Sequence, residues 1–234
     1  DINLFADDTV IFIALDNAIA AKNFINEDLK ILENWLKHKK LKLNVSKTKC
    51  MVISNKKNLP LENIEIWIEN EKIERVNKMK YLGVIIDNKL NFSAHIDYII
   101  KKISTKYGIL CRLNKKLTES SKILLYKTLI SPHIDYCASI LLFGTCTQLQ
   151  RLQRLQNKIM RLILRCNRYT PTRDMLQTLQ WLSVKQRLVF NTLVFIFKIK
   201  NNMVPEYLTE KLLYGNDVHN YETRRRNDIR PTIF

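Results

Sequence analysis

"LFADDTVIFI", Leu4 to Ile13, sets two carboxylates, Asp7 and Asp8, side by side between two apolar runs. The surrounding chain is strongly cationic, with 39 Lys and Arg against 22 Asp and Glu and a formal net charge of +17. Adjacent aspartates repel, and desolvating them without a partner is costly. Two arrangements remove that cost: an exposed, solvated hairpin turn, where aspartate is common, or a divalent cation between flanking strands. Ile2 to Phe5 and Thr9 to Ala14 read as those strands, with Ala6-Asp7-Asp8 as the turn. Neither run alternates with polar residues, which is the pattern of strands covered on both faces.

A helix from about Asn17 to His38 follows. Ala18, Ala21, Ile25, Leu29, Leu32 and Leu36 recur at three- and four-residue spacing, an apolar stripe that Asp16 or Asn17 can cap. Three strand regions are expected next: Cys50 to Ser54; Ile64 to Ile68 with a return arm near Lys72 to Val76, turning at Asn70-Glu71; and Tyr81 to Ile86. Beyond about Asp87 the pattern turns helical. Ser93 can cap a helix whose Ile96, Ile99, Ile100, Ile103 and Tyr107 share a face. Thr118-Glu119-Ser120-Ser121 opens another, running toward Pro132. A strongly patterned helix runs from Thr147 to near Cys166. Pro171 suits a first helical turn after Thr170 as cap. Ser183-Val184-Lys185-Gln186 matches a capping box and leads an apolar run through Phe197. The fold class expected is α+β, with mixed structure first and helices after.

Composition narrows the class. A chain of 234 residues, 46% hydrophobic, with four glycines and five prolines, can bury a core and is not low-complexity. The positive excess points to a polyanionic partner, nucleic acid before membrane. No apolar run approaches bilayer-spanning length and no secretory signal opens the chain. Five cysteines without a C-x-x-C pair suit a reducing compartment without structural zinc. A first residue of Asp1 rather than Met suggests a piece of a longer polypeptide.

Several motifs in order carry a resemblance. "FADD", Phe5 to Asp8, resembles the Y/F-x-D-D turn in the palm of reverse transcriptases. "LKLNVSKTKCMVIS", Leu41 to Ser54, is similar to the N-x-x-K-T segment of non-LTR retrotransposon polymerases, and "KYLGVIID", Lys80 to Asp87, to the hairpin called the primer grip. "LYKTLISPHIDYCASILLFG" (Leu125 to Gly144) and "LQRLQNKIMRLILR" (Leu152 to Arg165) resemble the thumb of jockey-like elements, and "YETRRRNDIR" (Tyr221 to Arg230) the far end of that clade. The resemblance implies a partial palm over residues 1–89, a helical thumb over 90–168, and a helical extension with a basic tail over 169–234. It implies RNA-directed DNA polymerase activity in the parent protein, with an RNA template, a DNA primer and deoxynucleoside triphosphates as partners. Mg²⁺, or Mn²⁺ in its place, would be the cofactor, and the nucleus and cytoplasm the setting.

Residue by residue, the resemblance implies that Asp7 and Asp8 are catalytic metal ligands, Asp7 foremost. Two-metal phosphoryl transfer needs carboxylates presented rigidly to ions about 4 Å apart. Lys47 matches a lysine near the nucleotide phosphates, where an ammonium can hold phosphate or donate a proton to the leaving group; a solvated loop lysine would look the same. Tyr81, Leu82 and Gly83 match the primer grip, with Gly83 allowing close backbone approach, although an ordinary bulge glycine would look the same and Tyr81 and Leu82 read as core rather than contact. The third catalytic aspartate and the fingers of such enzymes lie before the Asp pair, so this chain alone is not expected to polymerise. The rival from another class is a non-catalytic nucleic-acid-binding remnant of a decayed element.

One feature points to nucleic acid independently of any family. Arg151, Arg154, Lys158, Arg161, Arg165 and Arg168 fall at three- and four-residue spacing, an arc about 100° wide on a helix. Leu149, Leu152, Leu155, Ile159, Leu162 and Ile163 fill the next arc. The basic arc contains no acid to relieve i,i+4 repulsion, so either an external polyanion or solvent does. Trp35, Trp67, Trp181, Phe190, Phe195 and Phe197 read as core. The four histidines, His38, His95, His133 and His219, show no metal-ligand spacing.

Overall fold

A computed structural model describes residues 2–54, 64–209, 213–214 and 229–230, and the chain divides into two compact units, Asp1–His95 and Ile96–Phe234. Small, mostly antiparallel ladders in the first and helices in the second make the protein α+β.

In the first unit β1 (Ile2–Phe5) and β2 (Asp8–Ile11) form an antiparallel hairpin in which Phe5 faces Asp8. Among the described residues no other strand joins this ribbon. All four β1 residues are exposed, Leu4 and Phe5 by 72% and 62%, and only Val10 and Ile11 of β2 are half-buried, which corrects the expectation of strands covered on both faces. Helix α1 (Ala18–His38) is capped by Asn17, whose Oδ1 accepts from the N–H of Ile19 at 2.9 Å and of Ala20 at 3.4 Å. Its Leu29 is buried, with Ile25 and Leu32 half-buried beside it, whereas Trp35 is exposed rather than core.

The remaining strands are shorter than their apolar runs suggest. β3 (Lys49–Cys50) stops at Cys50 because its partner is short: it pairs in parallel with β6 (Glu74–Arg75), and Lys49 and Glu74 form an ion pair across the ladder. β4 (Trp67–Ile68) and β5 (Glu71–Lys72) close a hairpin through Glu69 and Asn70, at φ 49° and 63°. That turn lies one residue earlier than expected, at the pair of left-handed positions a tight hairpin demands. Asn26 of α1 binds the ribbon in place of a strand, accepting from Trp67 N–H at 3.1 Å and donating to the Glu65 carbonyl at 3.3 Å. Trp67 itself is exposed, not core.

The single strand expected over Tyr81 to Ile86 is instead a turn between β7 (Lys78–Tyr81) and β8 (Val84–Asp87). Leu82 and Gly83, at φ 44° and 85°, make the reversal. Glycine carries no steric penalty in that conformation.

The helices α2 (Ser93–Leu113), α3 (Glu119–Leu125), α4 (Ser131–Asp135), α5 (Ala138–Leu141), α6 (Cys146–Leu164), α7 (Thr172–Leu179), α8 (Val184–Lys200) and α9 (Glu206–Thr209) follow one another, all but the first three residues of α2 in the second unit. Ser93 is the first residue of α2 rather than its cap; Asn91 Oδ1 accepts the Ser93 N–H at 2.9 Å. A π-helical turn, Tyr126–Ile130, joins α3 to α4. Helix α6 begins at a capping box of Thr145 and Gln148, two residues before the expected start, and α8 at the expected box of Ser183 and Gln186. Pro171, not Thr170, stands at the start of α7, without a side-chain cap.

The core holds Ile96, Ile103, Tyr126, Ile130, Leu141, Leu152, Ile159, Ile163 and Leu188, with Trp181 stacked on Tyr126 at 4.0 Å between ring centres. Phe190, Phe195 and Phe197 are exposed. Helix α8 is apolar almost all round, and only the stripe of Val184, Leu188 and Ile199 is buried. Among the described residues, a two-residue antiparallel pair, β9 (Leu213–Tyr214) with β10 (Ile229–Arg230), is a strand feature that the helical pattern did not foresee. The rest of the basic tail lies outside the described residues. Among the described residues, no helix is long and apolar enough to cross a membrane.

Candidate functional site

Ala6 and Asp7 form the two-residue connection between β1 and β2, with Ala6 at φ 53°. A reversal that tight projects Asp7 and the first residue of β2, Asp8, from the tip of the hairpin, and both carboxylates are exposed. Their donor chemistry suits a hard divalent cation, which prefers carboxylate oxygens. Among the described residues, no group of three or more His, Cys, Asp or Glu gathers where it could hold a metal ion. The ribbon is anchored at its other end, where Ile11 packs against the small core of Leu29, Ile66, Ile68 and Ile73.

Lys47 is held by its neighbours in the motif. Asn44 organises a single 3₁₀ turn, Val45–Lys47: its Oδ1 accepts from the Lys47 N–H at 3.2 Å and from Ser46 Oγ at 2.7 Å. The Asn44 carbonyl accepts from the Thr48 N–H at 3.1 Å and from Thr48 Oγ1 at 3.0 Å. Asn and Thr thus bracket the lysine by the local side-chain bonding such residues favour, and the Lys47 side chain is left exposed. Asn44 was not singled out in sequence as a positioning residue, although its three-residue offset from Lys47 is a capping spacing. Leu43 and Val45 pack into the same small core as Ile11. One cluster therefore anchors both the carboxylate hairpin and the lysine turn. Beside the turn lies an open depression of about 420 Å³ lined by Lys42, Asn44, Ser46, Glu69 and Glu71 among others. The third candidate element, Tyr81-Leu82-Gly83, is the reversal of the β7–β8 hairpin, with Tyr81 half-buried and Gly83 exposed.

In the second unit, α6 presents the basic stripe. Leu152, Leu155, Ile159 and Ile163 are buried, while Arg151, Arg154 and Lys158 are exposed on the opposite arc. Three members depart from expectation, the first being Arg161, which is half-buried with its Nε covered. Arg151 Nη1 donates to Asp97 Oδ1 of α2 at 2.6 Å, so an acid from another helix answers one cation that its own helix leaves unpaired. Helix α6 ends at Leu164, with Arg165 as left-handed C-cap at φ 54°, so Arg168 lies beyond the helical arc. There its guanidinium sits 5.3 Å from the ring centre of Tyr169.

Residues 1–86 match the family model described as reverse transcriptase (RNA-dependent DNA polymerase). The particular relatives are mobile-element proteins of insects. The chain is 28% identical over 166 residues to the probable RNA-directed DNA polymerase from transposon X-element of Drosophila melanogaster, covering 69% of this chain and 18% of that protein. It is 26% identical over 174 residues to the RNA-directed DNA polymerase from mobile element jockey of the same fly, covering 73% and 19%. The Pol polyprotein from type-1 retrotransposable element R1 of Bradysia coprophila is 26% identical over 139 residues, covering 58% and 14%. The chain thus resembles the polymerases of non-LTR retrotransposons, and it spans less than a fifth of the length of these relatives. No solved structure matches it.

Proposed function

We propose that the chain is a segment of an RNA-directed DNA polymerase of the non-LTR retrotransposon type. In the whole protein, that enzyme adds deoxynucleotides to a primer 3′-end along an RNA template. The observation that carries this is the hairpin tip at Asp7 and Asp8, together with the anchoring of its ribbon and of the Lys47 turn in one core. Residues 1–89 act as part of the palm, 90–168 as the thumb, and 169–234 as an extension of it.

Asp7 and Asp8 would hold Mg²⁺, which when bound supplies Lewis-acid stabilisation of the charge that develops in phosphoryl transfer. This chain's own residues do the rest of what falls to it. The rigid turn keeps the two carboxylates together. The Asn44-bracketed turn holds the Lys47 ammonium out toward solvent, where it can neutralise nucleotide phosphates. The Leu82-Gly83 reversal gives the primer strand a side-chain-free surface at Gly83. Arg154, Lys158, Arg161, Arg165 and Arg168 contact backbone phosphates of the primer–template duplex; Arg151 does so less, being committed to Asp97.

The test is primer extension on an RNA template by the complete polypeptide that contains this chain. Asp7→Asn is expected to abolish extension while duplex binding persists. Unchanged extension would remove Asp7 from catalysis, and binding without any extension by the unsubstituted polypeptide would favour a nucleic-acid-binding remnant.

A further inference from the structure

Lys122 lies on α3, and its side chain is 0% exposed. Its Nζ meets no hydrogen-bond partner among the described residues. A lysine buried that far is ordinarily paired. Helix α3 packs on α6, where the Nε of the half-buried Arg161 is likewise covered and without a hydrogen-bond partner among the described residues. Arg165, one turn further along α6, is exposed, and its charge acts directly on Lys122.

The cationic groups here are therefore not neutralised by their surroundings. Among the described residues, Glu119, one turn before Lys122 on α3, is the acid that acts on its ammonium, and it forms no hydrogen bond with it. The last carbonyls of α6, natural acceptors for a cation at a helix C-terminus, receive nothing from Lys122 Nζ. Burial first, and then Arg165, hold the Lys122 pKa below the ordinary lysine range. Lys122 is fully covered, so an anion reaches its ammonium only when the side chains over it move.

We propose that Lys122, Arg161 and Arg165 form a phosphate-binding site between α3 and α6 that takes a backbone phosphate of bound nucleic acid. The site extends the basic stripe of α6 onto a second helix, and to that extent rests on the reading of the stripe as a nucleic-acid face. A phosphate oxygen would supply the acceptor that both buried nitrogens lack, in charge-assisted hydrogen bonds of the strongest kind available to these groups. Lys122 gives a point charge, and Arg161 and Arg165 planar forks, a set suited to a tetrahedral oxyanion.

The experiment uses the 234-residue chain in two arms. In the first, Tm is measured with inorganic phosphate and with chloride at matched ionic strength, for the unsubstituted protein, Lys122→Met and Arg161→Gln. Phosphate is expected to raise Tm, and each substitution to abolish the rise; Arg161→Gln carries the comparison alone if Lys122→Met does not fold. In the second, affinity for an RNA–DNA duplex is followed against salt. Lys122→Met is expected to reduce the slope of log K against log salt by about one unit.

A phosphate effect lost in the variants, with no duplex binding, would leave the site standing and overturn the stripe. Steep, salt-dependent duplex binding unchanged by Lys122→Met, with no phosphate effect, would overturn the site and leave the stripe. A Lys122→Met protein that is simply more stable in both salts, with the phosphate rise intact, would make Lys122 a covered core residue and also overturn the site.

Discussion

Arg187 of α8 grips Asp135 of α4 through two parallel hydrogen bonds, Nε to Oδ1 at 2.5 Å and Nη2 to Oδ2 at 2.7 Å. Asn191 Nδ2 and Ser131 Oγ complete the set at 2.8 and 3.1 Å. Burial alone would raise the Asp135 pKa, but the Arg187 guanidinium and these donors bring it below the ordinary carboxylate value. A depressed folded-state pKa contributes stability that is present above the unfolded pKa of about 3.9 and is lost as pH falls through the folded value. Arg187→Met should lower stability by about 1 kcal/mol, the low end for a stranded acceptor, because water reaches both side chains. Chemical denaturation at pH 7 measures it. Repeating it below pH 4 should show the gap between the two proteins closing, and a constant gap would mean that the pair is not ionic.

His95 gives a second pH dependence, of a different origin. It is buried, and its Nδ1 accepts the Ile85 N–H at 3.4 Å, which requires that nitrogen to be unprotonated. Burial holds its pKa below the usual imidazole value. The folded form therefore stays neutral while the unfolded chain takes up a proton. Stability is full above about pH 6.5 and declines as pH falls from there toward the lowered folded pKa. Thermal melts between pH 7.5 and 5 should show this decline, and His95→Gln should flatten it. An identical pH profile in the variant would clear His95 of the effect.

The stripe on α6 predicts unequal partners. Arg154 and Lys158 are exposed and have no ion pair among the described residues, whereas Arg151 already pairs with Asp97. Arg154→Ala should lower the slope of log K against log salt for duplex binding by about one unit. Arg151→Ala should lower it less, because it frees Asp97 rather than losing a phosphate contact alone. Alanine is the better helix former, so α6 itself should persist, which circular dichroism checks. Lys22→Ala on α1 serves as the neutral control. Equal effects from all three substitutions would make binding a matter of net charge rather than of this face.

Much of this was legible because local chemistry decides it. The Asn17 cap, the Ser183–Gln186 box and the apolar arc of α6 each depend on residues two to four apart. What misled was context beyond that range. Ile2 to Phe5 reads as a covered strand, yet the ribbon meets a core only at its far end, at Ile11, so Leu4 and Phe5 face solvent. Tyr81 to Ile86 reads as one strand because Leu82 is apolar, and only the left-handed conformations of Leu82 and Gly83 reveal a reversal. Phe190, Phe195 and Phe197 look like core because α8 is apolar all round, and sequence does not say which stripe is buried. The Arg151–Asp97 pair spans 54 positions, a separation at which no local pattern operates. The motif Lys47 was visible, but the reason for its fixed backbone, the doubled bonding of Asn44 and Thr48, required coordinates.

The most direct test of the central claim is single-nucleotide incorporation by the complete polypeptide on an RNA template, followed under single-turnover conditions with saturating primer–template and deoxynucleotide. Asp7→Asn should reduce the incorporation rate by at least about three orders of magnitude, the scale on which removal of a transition-state electrostatic group is felt. Its affinity for duplex should stay within about twofold, since Asp7 lies in a different unit from the α6 stripe. Lys47→Ala should slow incorporation less and raise the nucleotide concentration needed. A rate unchanged by Asp7→Asn would contradict the account, and would leave the Asp7–Asp8 pair as an ordinary solvated hairpin turn.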